Sequence, residues 1–174
     1  MKKSLITLCS VLFVCVTALA GNPLKVTSGD KKFFKNAEGT AVVEVNFDGA
    51  SFDGKKPLTD KYSDIPGKAR ICYLAFVEEF SDNCKDVKIV ENASDAKYKI
   101  LIKVSKIDEF TNVMGWIAGP CIRAWGTLTI TDIKGGEPLL VVDIDNIDGG
   151  SAVSTDRAFN DTFKELGKRI AKLK

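Results

Sequence analysis

Residues 97–107 read KYKILIKVSKI, and this stretch decides the fold class. Its apolar and polar side chains alternate, which predicts a strand with one buried face and one solvated face. The apolar positions are Tyr98, Ile100, Ile102 and Val104, and the polar ones are Lys97, Lys99, Lys103 and Ser105. Because one face of such a strand stays wet, we expect helices to cover only one side of the sheet.

The segments on both sides extend this sheet. Residues 122–131 repeat the alternation, and residues 139–147 follow after the turn at Gly135-Gly136, which predicts an antiparallel hairpin. Residues 39–47, GTAVVEVNF, are rich in β-branched side chains and predict a buried strand. Residues 87–90 predict one further short strand.

Two segments change to helical spacing. In residues 62–80 the apolar side chains fall at Ala69, Cys72, Phe76 and Phe80, with Pro66 suited to the first turn. Residues 155–173 repeat the pattern, with Asp156 near the start and basic residues near the end. The sequence therefore predicts a two-layer α/β sandwich, with a mixed sheet of four or five strands and two helices on one face.

The first twenty residues have the layout of a secretory signal. Lys2 and Lys3 precede an apolar run, and Ala18 and Ala20 stand at the −3 and −1 positions of a cleavage site. The alternative is an uncleaved membrane anchor, but the run is short for a bilayer span. No cysteine follows a small residue as lipidation requires. We expect residues 21–174 to be one soluble domain outside the cytoplasmic membrane, in a periplasm or similar compartment, and not a lipoprotein.

Composition excludes several classes of function. Removing Lys2 and Lys3 leaves 23 basic and 23 acidic residues, so the exported chain has no broad positive field for nucleic acid. The chain has no histidine, which excludes Ser-His-Asp and Cys-His mechanisms and the usual transition-metal ligands. We expect no cofactor and no transmembrane segment after cleavage of the signal.

Three cysteines remain after the signal: Cys72, Cys84 and Cys121. Cys72 and Cys84 on one helix would lie about 18 Å apart, beyond bridging range. The candidate disulfide is therefore Cys84–Cys121, and the alternative is three buried free thiols.

Asp143, Asp145 and Asp148 form the densest acidic cluster, in VVDIDNIDGG. Clustered carboxylates suit a hard cation such as calcium. The EF-hand pattern fails here, because Ile147 stands at a ligand position and no closing glutamate follows. The alternative is a solvated strand face.

Residues 112–125, NVMGWIAGPCIRAW, join two predicted strands yet are unusually apolar for a connection. The candidate binding residues are Val113, Met114, Trp116, Ile117 and Trp125. We expect either an exposed loop that docks a partner, a ligand or a membrane surface, or a segment that folds back over the core.

The order of several short motifs resembles an uncharacterised family of small exported proteins from Bacteroidetes bacteria. The motifs are KVTSGD at 25–30, VEVNF at 43–47, AKYKILIKV at 96–104, NVMGW at 112–116 and KELGKRIAKLK at 164–174. The meander and final helix also look like the amino-terminal domain of TolB and the curli-secretion lipoprotein CsgG, as an analogy of fold alone. The resemblance supplies no catalytic residues.

Three functions follow as hypotheses. The first is a non-enzymatic envelope protein that binds another protein, through a sheet edge or the apolar segment. The second is a small-ligand or lipid carrier, which requires a closed apolar cavity. The third is an enzyme, which requires a cleft with convergent carboxylates or lysines. The first agrees best with a charge-balanced chain that lacks histidine.

Overall fold

The computed structural model describes the backbone of residues 22–114 and 117–173, and the side chains of those residues outside 112–118. The predicted signal, and Trp116 of the candidate binding residues, lie outside the described residues. No helix in the described part of the chain is long and apolar enough to cross a membrane.

The chain alternates between strands and helices. The strands are β1 (Leu24–Gly29), β2 (Gly39–Asn46), β3 (Ser51–Phe52), β4 (Lys56–Pro57), β5 (Val87–Ile89), β6 (Tyr98–Met114), β7 (Ile117–Asp132) and β8 (Pro138–Asp148). The helices are α1 (Phe33–Asn36), α2 (Ile65–Asn83) and α3 (Thr155–Ala171), with 3₁₀ turns at Leu58–Asp60 and Ala93–Asp95. The predicted mixed α/β class is confirmed.

All eight strands belong to one sheet, whose main path runs β1-β8-β7-β6-β2-β5. The strands β6, β7 and β8 form an antiparallel meander, and β1 pairs antiparallel with the outer side of β8. On the other side, β2 pairs parallel with both β6 and β5. The sheet is therefore mixed and open, with β1 and β5 at its two edges.

Both long helices pack on the same face of this sheet, with α2 over β2 and α3 over β7 and β8. Asp64 caps α2 by accepting a hydrogen bond from the Gly67 amide at 2.8 Å, and Ser154 caps α3 by accepting one from the Arg157 amide at 3.2 Å. The core between the layers includes Phe76, Phe80, Phe159 and Phe163, which are essentially fully buried. The opposite face of the sheet carries the lysines and threonines of β6 and β7, and we call it the open face.

The predicted number of four or five strands is wrong, because three strands lack the expected apolar pattern. β1 is an edge strand that pairs through its backbone, and most of its side chains are exposed. β3 and β4 contain two residues each. None of these three needs alternating apolar side chains.

The predicted loop over residues 112–125 is also wrong. β6 continues to Met114 and β7 begins at Ile117, and the two strands pair without interruption from Glu109↔Ile122 to Met114↔Ile117. Gly119 and Pro120 lie within β7. Gly119 has a packing reason, because a Cβ at this position would lie 2.1 Å from the carbonyl oxygen of Ala152.

Candidate functional site

The β6–β7 ribbon extends past the rest of the sheet. The last pair between β7 and β8 is Arg123↔Asp148, and the last pair between β3 and β6 is Phe52↔Ile107. Six further pairs of β6 and β7, the last being Met114↔Ile117, have no strand beside them among the described residues. At 3.4 Å per residue the five steps between the first and last of these pairs extend about 17 Å. We call this projection the arm.

The base of the arm is fixed to the helical layer through Glu109. The Tyr62 hydroxyl donates to Oε2 of Glu109 at 2.6 Å, and Thr155 Oγ1 donates to Oε1 at 3.3 Å. Lys61 Nζ lies 3.5 Å from the same carboxylate. Burial, and then the hydrogen bond to Glu109, raise the pKa of Tyr62 well above its ordinary value. Tyr62 therefore stays a neutral donor to this carboxylate.

A second contact supports the arm from the segment after β8. The Ala152 amide donates to the Pro120 carbonyl at 3.0 Å, and the Cys121 thiol lies 3.3 Å from Ser151 Oγ. Beyond Pro120, no hydrogen bond between the arm and the rest of the protein is seen among the described residues. The outer part of the arm thus extends past these supports, and it contains the apolar sequence at 113–118.

On the open face, two cations stack on aromatic rings at the base of the arm and just below it. Lys106 Nζ lies 3.7 Å from the ring centre of Trp125, whose Nε1 donates to Asp145 at 2.9 Å. The Arg123 guanidinium carbon lies 3.9 Å from the ring centre of Phe110. These contacts hold Trp125 within the open face.

Trp125 therefore does not belong to one surface with the other candidate binding residues. It lies eight residues after Ile117, the β7 residue at the end of the arm, which corresponds to about 27 Å along the strand. The backbones of Val113, Met114 and Ile117 lie at the end of the arm, and their side chains are outside the described residues. The prediction that all five residues form one binding segment is corrected, because Trp125 lies apart from the end of the arm.

The acidic cluster does not form a ligand cage. Asp143 lies opposite Lys25 and Thr127 in the sheet, and Asp145 accepts from Trp125. Asp148 accepts from the Gly150 amide at 3.2 Å. A bulge at Asn146, whose φ is 58°, separates Asp148 from the other two in strand register. Among the described residues no group of three possible metal ligands is found.

The candidate disulfide is not formed: Cys72, Cys84 and Cys121 carry free, buried thiols. Cys84 ends α2 beside β5, whereas Cys121 lies on β7, three strand positions away in the sheet. That separation is about 14 Å, twice the greatest Cα distance that a disulfide spans. The alternative of three buried thiols is the arrangement found.

One pair of neighbouring carboxyls was not predicted from the sequence. Asp53, in the turn between β3 and β4, donates its amide to the Ile107 carbonyl at 3.0 Å, and the neighbouring carboxyl of Asp108 raises the pKa of Asp53. Asp53 is exposed and has φ of 54°. The two residues are 55 apart in the chain, so no local pattern could have joined them. Because the pair lies open to solvent, it lacks the enclosed cleft of a catalytic dyad.

The grooves of the surface are open rather than enclosed. One groove of about 560 Å³ lies at the bulge of β8 and is lined by Asn22, Pro23, Asp145, Asn146, Ile147, Asp148 and Arg169. Its lining is largely polar and charged. A lipid carrier requires a closed apolar cavity, so this groove does not favour that hypothesis.

A groove of smaller volume lies beside β2. It has a volume of about 370 Å³ and is lined by Val42, Val43, Arg70, Tyr73, Leu74 and Glu91. Leu74 is 52% exposed and is one of three exposed large apolar residues among those described. No pattern in the sequence predicted this groove.

Comparison with known proteins gives fold likeness only. No protein-family model matches the sequence, and no curated protein matches it. A PelC dodecamer from Paraburkholderia phytofirmans is similar in structure, with 15% identity, a TM-score of 0.45, and coverage of 86% of this chain and 96% of that chain.

Two further structures are similar at the same level. A protein of the DUF330 family from Xanthomonas campestris has 10% identity and a TM-score of 0.41, and the match covers 76% of this chain and 81% of that one. A minor lipoprotein from Acinetobacter baumannii has 12% identity and a TM-score of 0.33, with 77% and 90% covered. The resemblances to Bacteroidetes exported proteins, TolB and CsgG stay predictions.

Proposed function

We propose that this chain is an exported, unlipidated and non-enzymatic protein of the bacterial envelope that binds another protein through the end of its arm. The observation that carries the proposal is the projection of β6 and β7 beyond the sheet, with Met114 paired to Ile117 at its end. The six residues at 113–118, VMGWIA, contain no charge. An apolar segment at the end of a projecting ribbon is typical of a contact surface.

The energetics of a two-stranded ribbon support the same interpretation. A hairpin without a third strand is at best marginally stable in water. The base of the arm is anchored by Glu109 and Ala152, whereas the outer pairs have no such support among the described residues. A partner that pairs with or covers the outer part of the ribbon would stabilise it.

The test is a cross-linking and affinity survey of the native envelope. The variant Met114→Ala/Trp116→Ala shortens two apolar side chains of the VMGWIA sequence. The control is Ile133→Ala, because Ile133 is also apolar and 41% exposed but lies just after β7, at the other end of that strand. We expect the double variant to lose a cross-linked protein that the wild type and Ile133→Ala retain. Recovery of the same proteins by all three would overturn the proposal, and so would capture of lipid alone.

A further inference from the structure

The edge of β2 has an unfilled position for one more strand. β5 pairs with β2 only at Gly39, Thr40 and Ala41, and the chain then turns away after Val90. The remainder of β2, residues 42–46, pairs with β6 on one side. No strand among the described residues lies on its other side. We call this unfilled position the vacant lane.

The main-chain groups that face the vacant lane can be assigned from the alternation of the strand. The Ala41 carbonyl accepts from Val90 at 2.9 Å on the β5 side, and the Thr40 carbonyl accepts from Lys97 at 2.9 Å on the β6 side. Successive residues of a strand point their main-chain groups to opposite sides. The N–H and C=O of Val43 and Val45 therefore point into the vacant lane.

The side chains around the lane define two different faces. Val43 is buried and Val45 packs against the core, so both point toward the helical layer. There the groove beside α2 presents Tyr73 and the exposed Leu74. On the open face the lane is bordered by Glu44, whose carboxylate lies 2.7 Å from Lys99 Nζ.

We propose that the vacant lane binds an extended strand from another protein, with apolar side chains over Leu74 and a basic residue opposite Glu44. The unpaired main-chain donors and acceptors of β2 can form hydrogen bonds with those of an extended peptide. The pockets that receive every second side chain of the peptide then select which residues bind. A second copy of this chain pairing antiparallel about Glu44 would place two carboxylates opposite each other, which is unfavourable. Charge thus favours a different, basic strand.

The edge carries little protection against such pairing. Natural edge strands are blocked by lysine, proline, bulges or a covering element. Residues 42–46 read VVEVN and contain neither lysine nor proline, and their pairing with β6 has no bulge. At the opposite edge, β1 carries Lys25 and a bulge between Val26 and Ser28. The two edges therefore differ in the way expected if only β2 receives a strand.

The test uses amide NMR spectra of the protein titrated with a synthetic peptide. The peptide has seven residues, with two valines flanking a central lysine and threonines elsewhere, and a matched peptide carries glutamate at the centre. We expect the amides of Val43 and Val45 to shift with the lysine peptide at about 1 mM, and the glutamate peptide to bind about threefold more weakly.

The variant Val45→Pro removes one N–H that faces the lane and leaves the pairing of β2 with β6 intact. The control Val45→Ala shortens the same side chain and keeps the N–H. We expect Val45→Pro to weaken peptide binding about tenfold relative to Val45→Ala. Absence of shifts at Val43 and Val45, or equal binding by both variants, would overturn the proposal. Self-association that Val45→Pro abolishes would also overturn it, because the occupant would then be a second copy.

Discussion

Gly167 of α3 lies directly against the backbone of Phe76 in α2. A Cβ at residue 167 would lie 2.5 Å from the Phe76 carbonyl oxygen. The two helices run in the same direction, with Lys68 beside Asp156 near their starts and Glu78 2.8 Å from Lys164 further along. The absence of a side chain at Gly167 therefore sets how closely the helical layer packs over the sheet.

Gly167→Ala is expected to destabilise the fold by about 1–3 kcal/mol, because a methyl group has no space between the helices. Urea unfolding monitored by circular dichroism measures this change. Gly135→Ala in the β7–β8 turn is the control, since a Cβ there meets only the Asp132 side chain at an ordinary 3.7 Å. Equal loss of stability in both variants would contradict the account of the helix contact.

Tyr62→Phe removes the hydroxyl that donates to Glu109 and is expected to cost about 1 kcal/mol at neutral pH. The raised pKa of Tyr62 means that the folded state holds this proton more tightly than the unfolded state does. The stabilisation that the protonated Tyr62 hydroxyl provides is complete below the pKa of tyrosine in the unfolded chain, which is near 10. This stabilisation is lost as pH rises from there through the pKa of Tyr62 in the folded protein.

The measurement is the free energy of unfolding of wild type and Tyr62→Phe at several pH values between neutral and alkaline. The wild type should lose more stability above pH 10 than the variant, so the two curves converge. Tyr73→Phe is the control, because no hydrogen bond of the Tyr73 hydroxyl is seen among the described residues. Parallel curves for wild type and Tyr62→Phe would contradict the assigned hydrogen bond.

Cys72, Cys84 and Cys121 should all react as thiols once the protein is unfolded. Burial raises the pKa of the Cys72 thiol well above its ordinary value, so this residue should resist alkylation in the native state. Mass spectrometry after alkylation, without prior reduction, identifies each modified cysteine. A Cys84–Cys121 peptide pair that appears only after reduction would contradict the free thiols.

Trp125→Phe removes the donation from Nε1 to Asp145 and keeps an aromatic ring below Lys106. We expect a loss of about 1 kcal/mol in stability, measured by urea unfolding. Partner binding should be unchanged, because Trp125 lies about 27 Å from the end of the arm. Loss of the partner by this variant would indicate that the open face, and not the arm, is the contact.

Local sequence patterns predicted the two layers of this fold. The features that these patterns did not predict depend on contacts between residues that are far apart in the chain. The helical spacing of apolar residues in 155–173 predicted α3, and the alternation at 98–104 predicted β6. The extended arm was missed because residues 112–125 were interpreted as a connection between strands, whereas Gly119 lies within β7 against the backbone of Ala152.

In the candidate sites, too, local patterns were visible in the sequence and contacts between distant segments were not. The apolar sequence at 113–118 was visible from composition, but its position at the end of a ribbon follows from strand pairing. The vacant lane beside Val43 depends on the shortness of β5, which is three residues long. The neighbouring carboxyls of Asp53 and Asp108 come from two separate segments of the chain. None of these pairings leaves a periodic signal within one stretch of sequence.

The central claim is that the end of the arm binds another protein, and site-specific photo-cross-linking tests it most directly. A photoreactive residue replaces Ile117 in the full-length protein in its native envelope, and a second protein carries it at Ile133. The account predicts a discrete protein adduct from position 117, absent from position 133 and lost in Met114→Ala/Trp116→Ala. Identical products from both positions, or adducts of lipid alone from position 117, would contradict it.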